Sequence, residues 1–291
     1  MSLLPSWPRS PTLAPWIGLA LLAITACSTS EPHSVDLAIA DTSSPDAAAP
    51  DATLDAATPL TVLAAGATEG AVTDEASVFE AQTGLSYTFT IGSAGALRDL
   101  IIAGAKADVA LVTPAVISAL AAKNLVVVGS RVDLGTIGGG VAVRAGDPPP
   151  LIDTEAAFAQ ALSDADAWYY ADPTLATAGA AFVTIATKLG FTSAQIAAKS
   201  HLAAGGKEAM LALAAATEQH PLGVTQLSEI KAVPAVTYVG PYPGTLQTTT
   251  TYAAIILQSS ARAAEAAELV QFFAGPDFKA RLQASGFVTT P

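Results

Sequence analysis

Short apolar runs alternate with longer helical patterns along the chain from Pro59 onward. Leu60–Ala65 (LTVLAA) is almost uniformly apolar, which predicts a buried strand. Thr68–Gln82 has helical spacing, and the glycine that follows it predicts where the helix ends. Leu85–Ile91 then predicts a second strand. This order of strand, helix and strand is typical of a parallel sheet that is covered by helices.

The same alternation continues toward the end of the chain, interrupted by clusters of glycine and proline. Gly138–Gly140 leads into a short apolar run, and Asp147–Pro150 breaks the pattern after it. The further predicted strands are Asp108–Val112, Leu125–Val128, Val141–Val143, Ala167–Ala171, Leu222–Thr225 and Thr250–Leu257. The further predicted helices are Ala94–Ala103, Pro114–Lys123, Thr154–Ser163, Gly179–Leu189, Lys207–Ala216, Ala261–Phe273 and Asp277–Ser285.

The amino-terminal residues have the pattern of an export signal. Residues 1–26 carry one positive charge, and their apolar core, Ile17–Ile24, is shorter than the ~20 residues that a bilayer span needs. The run ends in Ile24-Thr25-Ala26-Cys27, the pattern of a bacterial lipobox. We therefore expect a lipoprotein signal peptide over residues 1–26 and lipidation of Cys27. The alternatives are a plain signal peptide with an incidental cysteine and a short membrane anchor.

Composition narrows the possible classes of function. Residues 27–58 are rich in Ser, Thr, Pro, Ala and Asp, which predicts a disordered tether. The chain has 13 Lys and Arg against 25 Asp and Glu, so we expect no nucleic-acid partner. The sequence has no HExxH motif, no P-loop and no nucleophile elbow, so it indicates no catalytic residue, metal or cofactor. Glu208, Glu218 and Glu229 are expected on solvated faces.

Several short motifs occur in a fixed order along the folded part of the chain. They are Leu60–Glu69 (LTVLAAGATE), Gly92–Leu97 (GSAGAL), Ala103–Val109 (AGAKADV), Arg131–Gly146 (RVDLGTIGGGVAVRAG), Ala171–Pro173 with Thr177–Gly179, Leu222–Thr225 (LGVT), Gly240–Pro243 (GPYP) and Tyr252–Ala254. In this order and spacing the chain resembles the molybdate-binding type of periplasmic solute-binding protein of ABC importers. The resemblance extends over most of residues 59–291.

The resemblance implies a two-lobe type II periplasmic binding protein fold, which is an α/β fold with mixed, mostly parallel sheets flanked by helices. It assigns residues 59–137 and 241–291 to lobe I, and residues 138–240 to lobe II. We expect the hinge strands near Gly138–Ala145 and Ala235–Pro241. Ligand binding would then close the two lobes by a hinge motion.

The resemblance also implies a binding site between the lobes. Such proteins hold a tetrahedral oxyanion with main-chain N–H groups at helix starts, hydroxyl groups and a tyrosine. Ala67 stands where the family has a serine, so one hydroxyl donor is missing, and the adjacent Thr68 is its candidate substitute. An ordinary turn or packing role is the alternative at each position. The implied ligand-binding residues are Ala67, Thr68, Ser93, Ala94, Ala178, Gly179, Thr225 and Tyr252.

The export signal and the resemblance together give the expected function. We expect a lipid-anchored protein on the periplasmic side of a bacterial membrane that binds a small molybdate-like or tungstate-like oxyanion without a cofactor. As a monomer it would deliver this anion to an ABC permease of the inner membrane. The alternative is a solute-sensing or interaction lipoprotein that keeps the fold without transport. An enzyme would need a nucleophile beside a base, and the sequence does not offer such a pair.

Overall fold

A computed structural model describes residues 58–289 of the chain. Cys27, the predicted signal peptide and residues 27–57 of the predicted tether lie outside the described residues. The strands within the described range are β1 (Leu60–Ala65), β2 (Tyr87–Gly92), β3 (Val109–Val112), β4 (Val132–Arg144), β5 (Ala167–Ala171), β6 (Ser200–Ala203), β7 (Pro221–Gln226), β8 (Val236–Pro241) and β9 (Thr249–Ile256).

Helices occupy most of the connections between these strands. They are α1 (Glu69–Asp74), α2 (Ala76–Thr83), α3 (Ala94–Ile102), α4 (Pro114–Ala121), α5 (Glu155–Asp164), α6 (Thr177–Lys188), α7 (Ser193–Lys199), α8 (Gly206–Ala214), α9 (Leu227–Lys231), α10 (Ala263–Ala274) and α11 (Pro276–Ser285). Single 3₁₀ turns follow β1 at Gly66–Thr68 and precede β9 at Gly244–Leu246. The predicted fold class is confirmed, because the chain forms a mixed sheet that is flanked by helices.

One strand, β4, belongs to two half-sheets. The order of the first half-sheet is β2-β1-β3-β9-β4, and that of the second is β4-β7-β5-β6, with β8 also paired to β4. The part of β4 before Gly139 pairs with β9, and the part from Gly139 onward pairs with β7 and β8. The pairs of β1 with β2 and β3, and of β5 with β6 and β7, are parallel. The pairs that involve β4 or β9 are antiparallel.

Three consecutive glycines lie where β4 passes from one half-sheet to the other. A Cβ atom on Gly138 would lie 2.3 Å from Nε2 of Gln247, and one on Gly139 would lie 2.3 Å from the ring of Tyr242. The Gln247 amide also donates to the carbonyl of Gly139 at 3.1 Å, and its oxygen accepts from the Tyr242 N–H. The glycines therefore allow the returning segment between β8 and β9 to pack directly onto β4.

Each half-sheet is covered on both faces by apolar side chains. In the first half, one buried cluster packs beneath α10 and α11 around Phe79 and Phe273, and another packs beneath α3 and α4 around Leu120. In the second half, the two clusters centre on Trp168 and Met210. A sheet that is buried on both faces explains the nearly continuous apolar runs in the sequence of its strands.

The structure differs from the sequence prediction at a few elements. The helix predicted over Thr68–Gln82 is interrupted at Glu75, a buried residue that accepts a hydrogen bond from Arg281 at 2.8 Å. The strand predicted over Leu125–Val128 is wrong, because only a single bridge between Val126 and Leu257 forms there. Within the described residues, no helix combines the length and the apolar character needed to cross a membrane.

Two leucines of α8 provide a test of this packing. Leu213 is fully buried and Leu211 is half exposed. Replacing Leu213 by Ala should lower the free energy of unfolding by ~2–5 kcal/mol, because it removes buried methyl groups and leaves a cavity. Leu211→Ala in the same helix should change it by less than ~0.5 kcal/mol. Denaturant unfolding measures both, and equal effects of the two variants would contradict the described orientation of α8.

Candidate functional site

The candidate site is a cleft between the two half-sheets. One part of the cleft, which we call the inner cavity, has a volume of about 20 Å³. The first half-sheet and its helices contribute Ala65, Gly66, Ser93, Ala94 and Tyr252 to this cavity. The second contributes Ala171, Ala176, Thr177, Ala178, Gly206, Gln226 and Glu229.

A larger outer pocket of about 150 Å³ adjoins the inner cavity. Gly66, Ser93 and Glu229 line both spaces. The outer pocket also contains an ion pair between Lys207 and Glu69, whose Nζ and Oε1 atoms are 2.7 Å apart. This ion pair connects α8 of the second half to α1 of the first, so it bridges the cleft.

Ser93 is the N-cap residue of α3, and its side chain has a free hydroxyl group. Its backbone is extended, and its side chain makes no capping hydrogen bond. The residue is only 9% exposed, and Oγ has no hydrogen-bond partner among the described residues. Because a buried hydroxyl without a partner loses free energy, this group can gain from a ligand in the cavity. The neighbouring Ala94, at the first position of α3, lines the same cavity.

The start of α6 faces Ser93 from the second half. Ala178 lines the inner cavity close to the N-terminus of this twelve-residue helix. Gly179 has a different position, because a Cβ atom there would lie 1.9 Å from the carbonyl oxygen of Ala171. Gly179 therefore allows α6 to pack against the end of β5, and it does not line the cavity.

Tyr252 on β9 contacts the cavity from the first half-sheet. Its hydroxyl donates to Oε1 of Gln226 at 2.9 Å, and burial raises the pKa of the tyrosine, which keeps it neutral. Nε2 of Gln226 has no hydrogen-bond partner among the described residues, although the residue is only 3% exposed. Gln226 was absent from the sequence prediction. Together with Ser93 it gives the cavity two buried donors that lack acceptors.

Three predicted residues lie behind the cavity lining. Ala67 is buried in the core of the first half, and the Thr68 hydroxyl donates to the carbonyl of Ala65 at 2.8 Å. Gly66, which precedes them in the same 3₁₀ turn, is the residue that lines the cavity. Thr225 is fully buried, and its hydroxyl donates to Oε2 of Glu229 at 2.5 Å.

Glu229 is buried, so its prediction as a residue on a solvated face is wrong. It is 8% exposed and lies at the third position of α9 after the N-cap residue Gln226. Its carboxylate accepts from the hydroxyl of Thr225, and the nearby backbone N–H dipoles of Gln226 and Gly206 favour its charged form. Burial nevertheless raises the pKa of the Glu229 carboxyl, and the charge of the nearby Glu208 acts in the same direction. A glutamate three residues after an N-cap is a known capping pattern, which is the sequence signal for this contact.

Small residues provide the space for this carboxylate. A Cβ atom on Gly206 would lie 2.0 Å from Oε2 of Glu229, and one on Gly66 would lie 3.0 Å from Oε1. Gly206 belongs to the second half and Gly66 to the first. The Glu229 carboxyl therefore occupies the cleft itself, between backbone segments of the two halves.

The two half-sheets with a shared strand and a small polar cavity between them define a two-lobe solute-binding protein. Residues 60–288 match the family model of bacterial extracellular solute-binding proteins, and the chain belongs to this family. An aconitate isomerase from a Pseudomonas species is 30% identical over 293 residues, with 98% of each chain covered.

Solved structures of periplasmic binding proteins share the fold. The molybdate-binding protein of Azotobacter vinelandii has a TM-score of 0.67 and 23% identity, covering 80% of this chain and 100% of that one. A sulfate-binding protein of Mycobacterium tuberculosis has a TM-score of 0.66 and 14% identity, covering 80% and 87%. A tungstate-binding protein of Desulfovibrio alaskensis has a TM-score of 0.52 and 16% identity, covering 76% and 92%. The predicted resemblance to the molybdate type is thereby confirmed.

A backbone contact across the cleft can be tested with a pair of glycines. The N–H of Gly95 in α3 donates to the carbonyl of Leu175 at 2.8 Å, and a Cβ atom on Gly95 would lie 2.4 Å from that oxygen. Gly95→Ala should therefore hold the cleft open and lower the free energy of unfolding by ~1–3 kcal/mol. Small-angle scattering should show a larger radius of gyration than in the unchanged protein.

Gly70 in α1 is the matched control, because a Cβ atom there meets no atom within 4 Å. Gly70→Ala should raise the free energy of unfolding by ~0.4–1 kcal/mol and leave the radius of gyration unchanged. If Gly95→Ala behaves like Gly70→Ala in both measurements, the contact between Gly95 and Leu175 does not form in solution.

Proposed function

We propose that this protein binds a small oxyanion in the inner cavity and delivers it to an ABC permease of the inner membrane. The observation that supports this proposal is the pair of buried donors without acceptors, Ser93 Oγ and Gln226 Nε2, at one small cavity. A ligand with several acceptor oxygens would satisfy both donors. The binding is reversible and without turnover in this proposal.

The helix ends around the cavity favour a negatively charged ligand. The first N–H groups of a helix have no partner within the helix, and its dipole places partial positive charge there. Both α3 and α6 begin at the cavity, at Ala94 and Thr177. Ala94 and Ala178 are small, so an anion can approach the backbone closely. The cavity of about 20 Å³ holds little more than one water molecule, which requires ~10–15 Å³. An oxyanion is larger than this, so the lobes must separate slightly to admit it.

Export and anchoring complete the proposal. Residues 1–26 would direct secretion, and a lipid on Cys27 would hold the protein at the membrane. The tether over residues 27–58 would let the two-lobe part, with lobe I at 59–137 and 241–291 and lobe II at 138–240, search for its permease as a monomer. A solute-sensing lipoprotein that keeps the fold without transport is the alternative, and a permease and an ATPase encoded beside this gene would favour transport.

Removing the free hydroxyl tests the proposed site. Calorimetry with sulfate and with molybdate should detect binding to the unchanged protein, and Ser93→Ala should weaken it by about tenfold or more. The reason is that a hydrogen bond to a charged group contributes ~1.5–3 kcal/mol. Because Ser93 Oγ has no partner in the described structure, the free energy of unfolding without ligand should stay within ~0.5 kcal/mol.

Ser118→Ala is the control for this experiment. Its hydroxyl donates to the carbonyl of Pro114 on an exposed face of α4, and Ser118 does not line the cavity. This variant should bind as the unchanged protein does. If Ser93→Ala binds as tightly as the unchanged protein, the Ser93 hydroxyl is not part of the binding site. If the unchanged protein binds no oxyanion, the proposed function is refuted.

A second candidate function is isomerisation of an aconitate-like acid. It is favoured by the 30% identity with an aconitate isomerase over the full length, together with the carboxyl of Glu229 in the cavity. Isomerisation by proton transfer needs a group that removes a proton from one carbon and returns it to another, and Glu229 could serve as this base. Against this candidate, Lys207 is the one cation among the residues that line the two spaces, whereas aconitate carries three carboxyl groups.

Nuclear magnetic resonance distinguishes the two functions. Purified protein is incubated with cis-aconitate and, separately, with trans-aconitate, and the vinyl proton signals are followed. Our leading proposal expects no interconversion above the rate without protein. Interconversion that is lost in Glu229→Gln would establish the enzyme instead.

A further inference from the structure

We propose that Glu229 determines the specificity of this cleft, because an anion binds there only together with one proton that it shares with the Glu229 carboxyl. This inference rests on the proposed function and adds the chemical class of the ligand. The favoured ligand is an oxyanion or carboxylic acid that brings an acidic proton of its own. A fully deprotonated dianion must instead take up the proton from solution.

The Glu229 carboxyl lies at the point where the two spaces of the cleft meet. Glu229 lines both the inner cavity and the outer pocket, so a ligand that contacts Ser93 and Ala178 also lies beside it. The space for a carboxyl at this point depends on Gly66 and Gly206, whose Cβ atoms would lie 3.0 and 2.0 Å from its two oxygens. The Glu229 side chain therefore cannot rotate away from the ligand without leaving the space beside Gly66 and Gly206, which fits its carboxyl closely.

Among the described residues, the Glu229 carboxylate has no neutralising cation. Within residues 58–289, no Lys, Arg or His nitrogen lies within 4.0 Å of the Glu229 carboxylate. On α8, Lys207 is paired with Glu69 of α1, and Glu208 is a second acid.

The remaining titratable neighbours of Glu229 are the two buried tyrosines, Tyr252 and Tyr242, which are neutral because burial raises the pKa of each. The Thr225 hydroxyl donates to Glu229, and the backbone N–H dipoles of Gln226 and Gly206 favour its charge. The free donors of the cavity, Ser93 Oγ and Gln226 Nε2, are neutral, so they supply no full positive charge that would offset a second negative charge.

An ionised carboxylate and an anion in a dry cavity repel each other strongly, so one proton must lie between them. A neutral Glu229 would donate its O–H to the ligand, and a protonated ligand would donate to an ionised Glu229. Burial raises the pKa of the Glu229 carboxyl even without ligand, which makes the first arrangement accessible for dianions.

The sign of the pH dependence follows by linkage. A bound anion holds the shared proton more tightly than the free protein does, so binding takes up protons wherever Glu229 is ionised before binding. The affinity for a dianion must therefore fall as the pH rises above the pKa of Glu229 in the free protein. The limiting slope is about tenfold per pH unit, which corresponds to one proton.

Calorimetry with sulfate and molybdate as probes tests the inference between about pH 6 and about pH 9, where neither probe titrates. Each titration is repeated in two buffers of different ionisation heat, which counts the protons taken up. In the unchanged protein the affinity should fall with pH, and up to one proton should be taken up per anion. Glu229→Gln keeps the shape and can donate like the neutral acid, so its affinity should be independent of pH with no proton uptake.

Glu268→Gln on the exposed face of α10 is the matched control and should keep the pH dependence of the unchanged protein. A purely structural role of Glu229 would weaken binding in Glu229→Gln at every pH and leave the slope unaltered, which overturns the inference. Binding by the unchanged protein that is independent of pH overturns it as well. If Glu229→Gln does not fold, as judged by its melting curve, the proton count of the unchanged protein decides. Absence of binding at every pH refutes the proposed function itself.

Discussion

The rest of the structure depends on the passage of β4 from one half-sheet to the other. Gly138–Gly140 lies at this passage, and the rings of Tyr242 and Tyr238 and the amide of Gln247 fill the space that side chains would need there. The chain crosses between the halves in β4 and returns once, between β8 and β9. Because residues 58–289 cross between the halves only at these two places, the two halves can change their separation while each keeps its own core, and the cleft between them is the natural place for a ligand.

The sequence predicted best those strands whose burial follows from the apolar character of their own residues. Leu60–Ala65 and Ala167–Ala171 were predicted with the bounds that the structure shows, because runs such as LTVLAA and AWYYA are apolar enough to be buried on both faces. Ser200–Ala203 was missed as a strand, since it is partly exposed and its pairing depends on β5. Val236–Pro241 has no strand pattern of its own, and a strand was expected near it only because the resemblance implies a hinge there. Leu125–Val128 shows the opposite error: the run is apolar, but no neighbouring strand pairs with it beyond one bridge.

The site could be predicted only where backbone position determines the role. Ser93, Ala94 and Ala178 lie at helix starts and Tyr252 lies within β9, and the fold brings them to one cavity. Gln226, the last residue of β7, and Glu229, on the short helix α9, were missed because their sequence does not distinguish a buried position from a solvated one. The capping pattern gives the position of Glu229 on the helix but does not show that it is buried. The burial of both residues results from the contact of α9 with the segment that begins α8, which is a tertiary contact.

The protein already uses several of the donors that an anion site of this fold could offer. The N–H of Gly95 donates to the carbonyl of Leu175, and the hydroxyl of Thr225 donates to Glu229. Each such contact removes a donor from the ligand, and the second also places a carboxyl at the cavity. A site with fewer free donors and an acid of its own can stabilise less negative charge. The same fold can therefore serve ligands of different charge, and the contacts within the protein decide how much charge the cleft accepts.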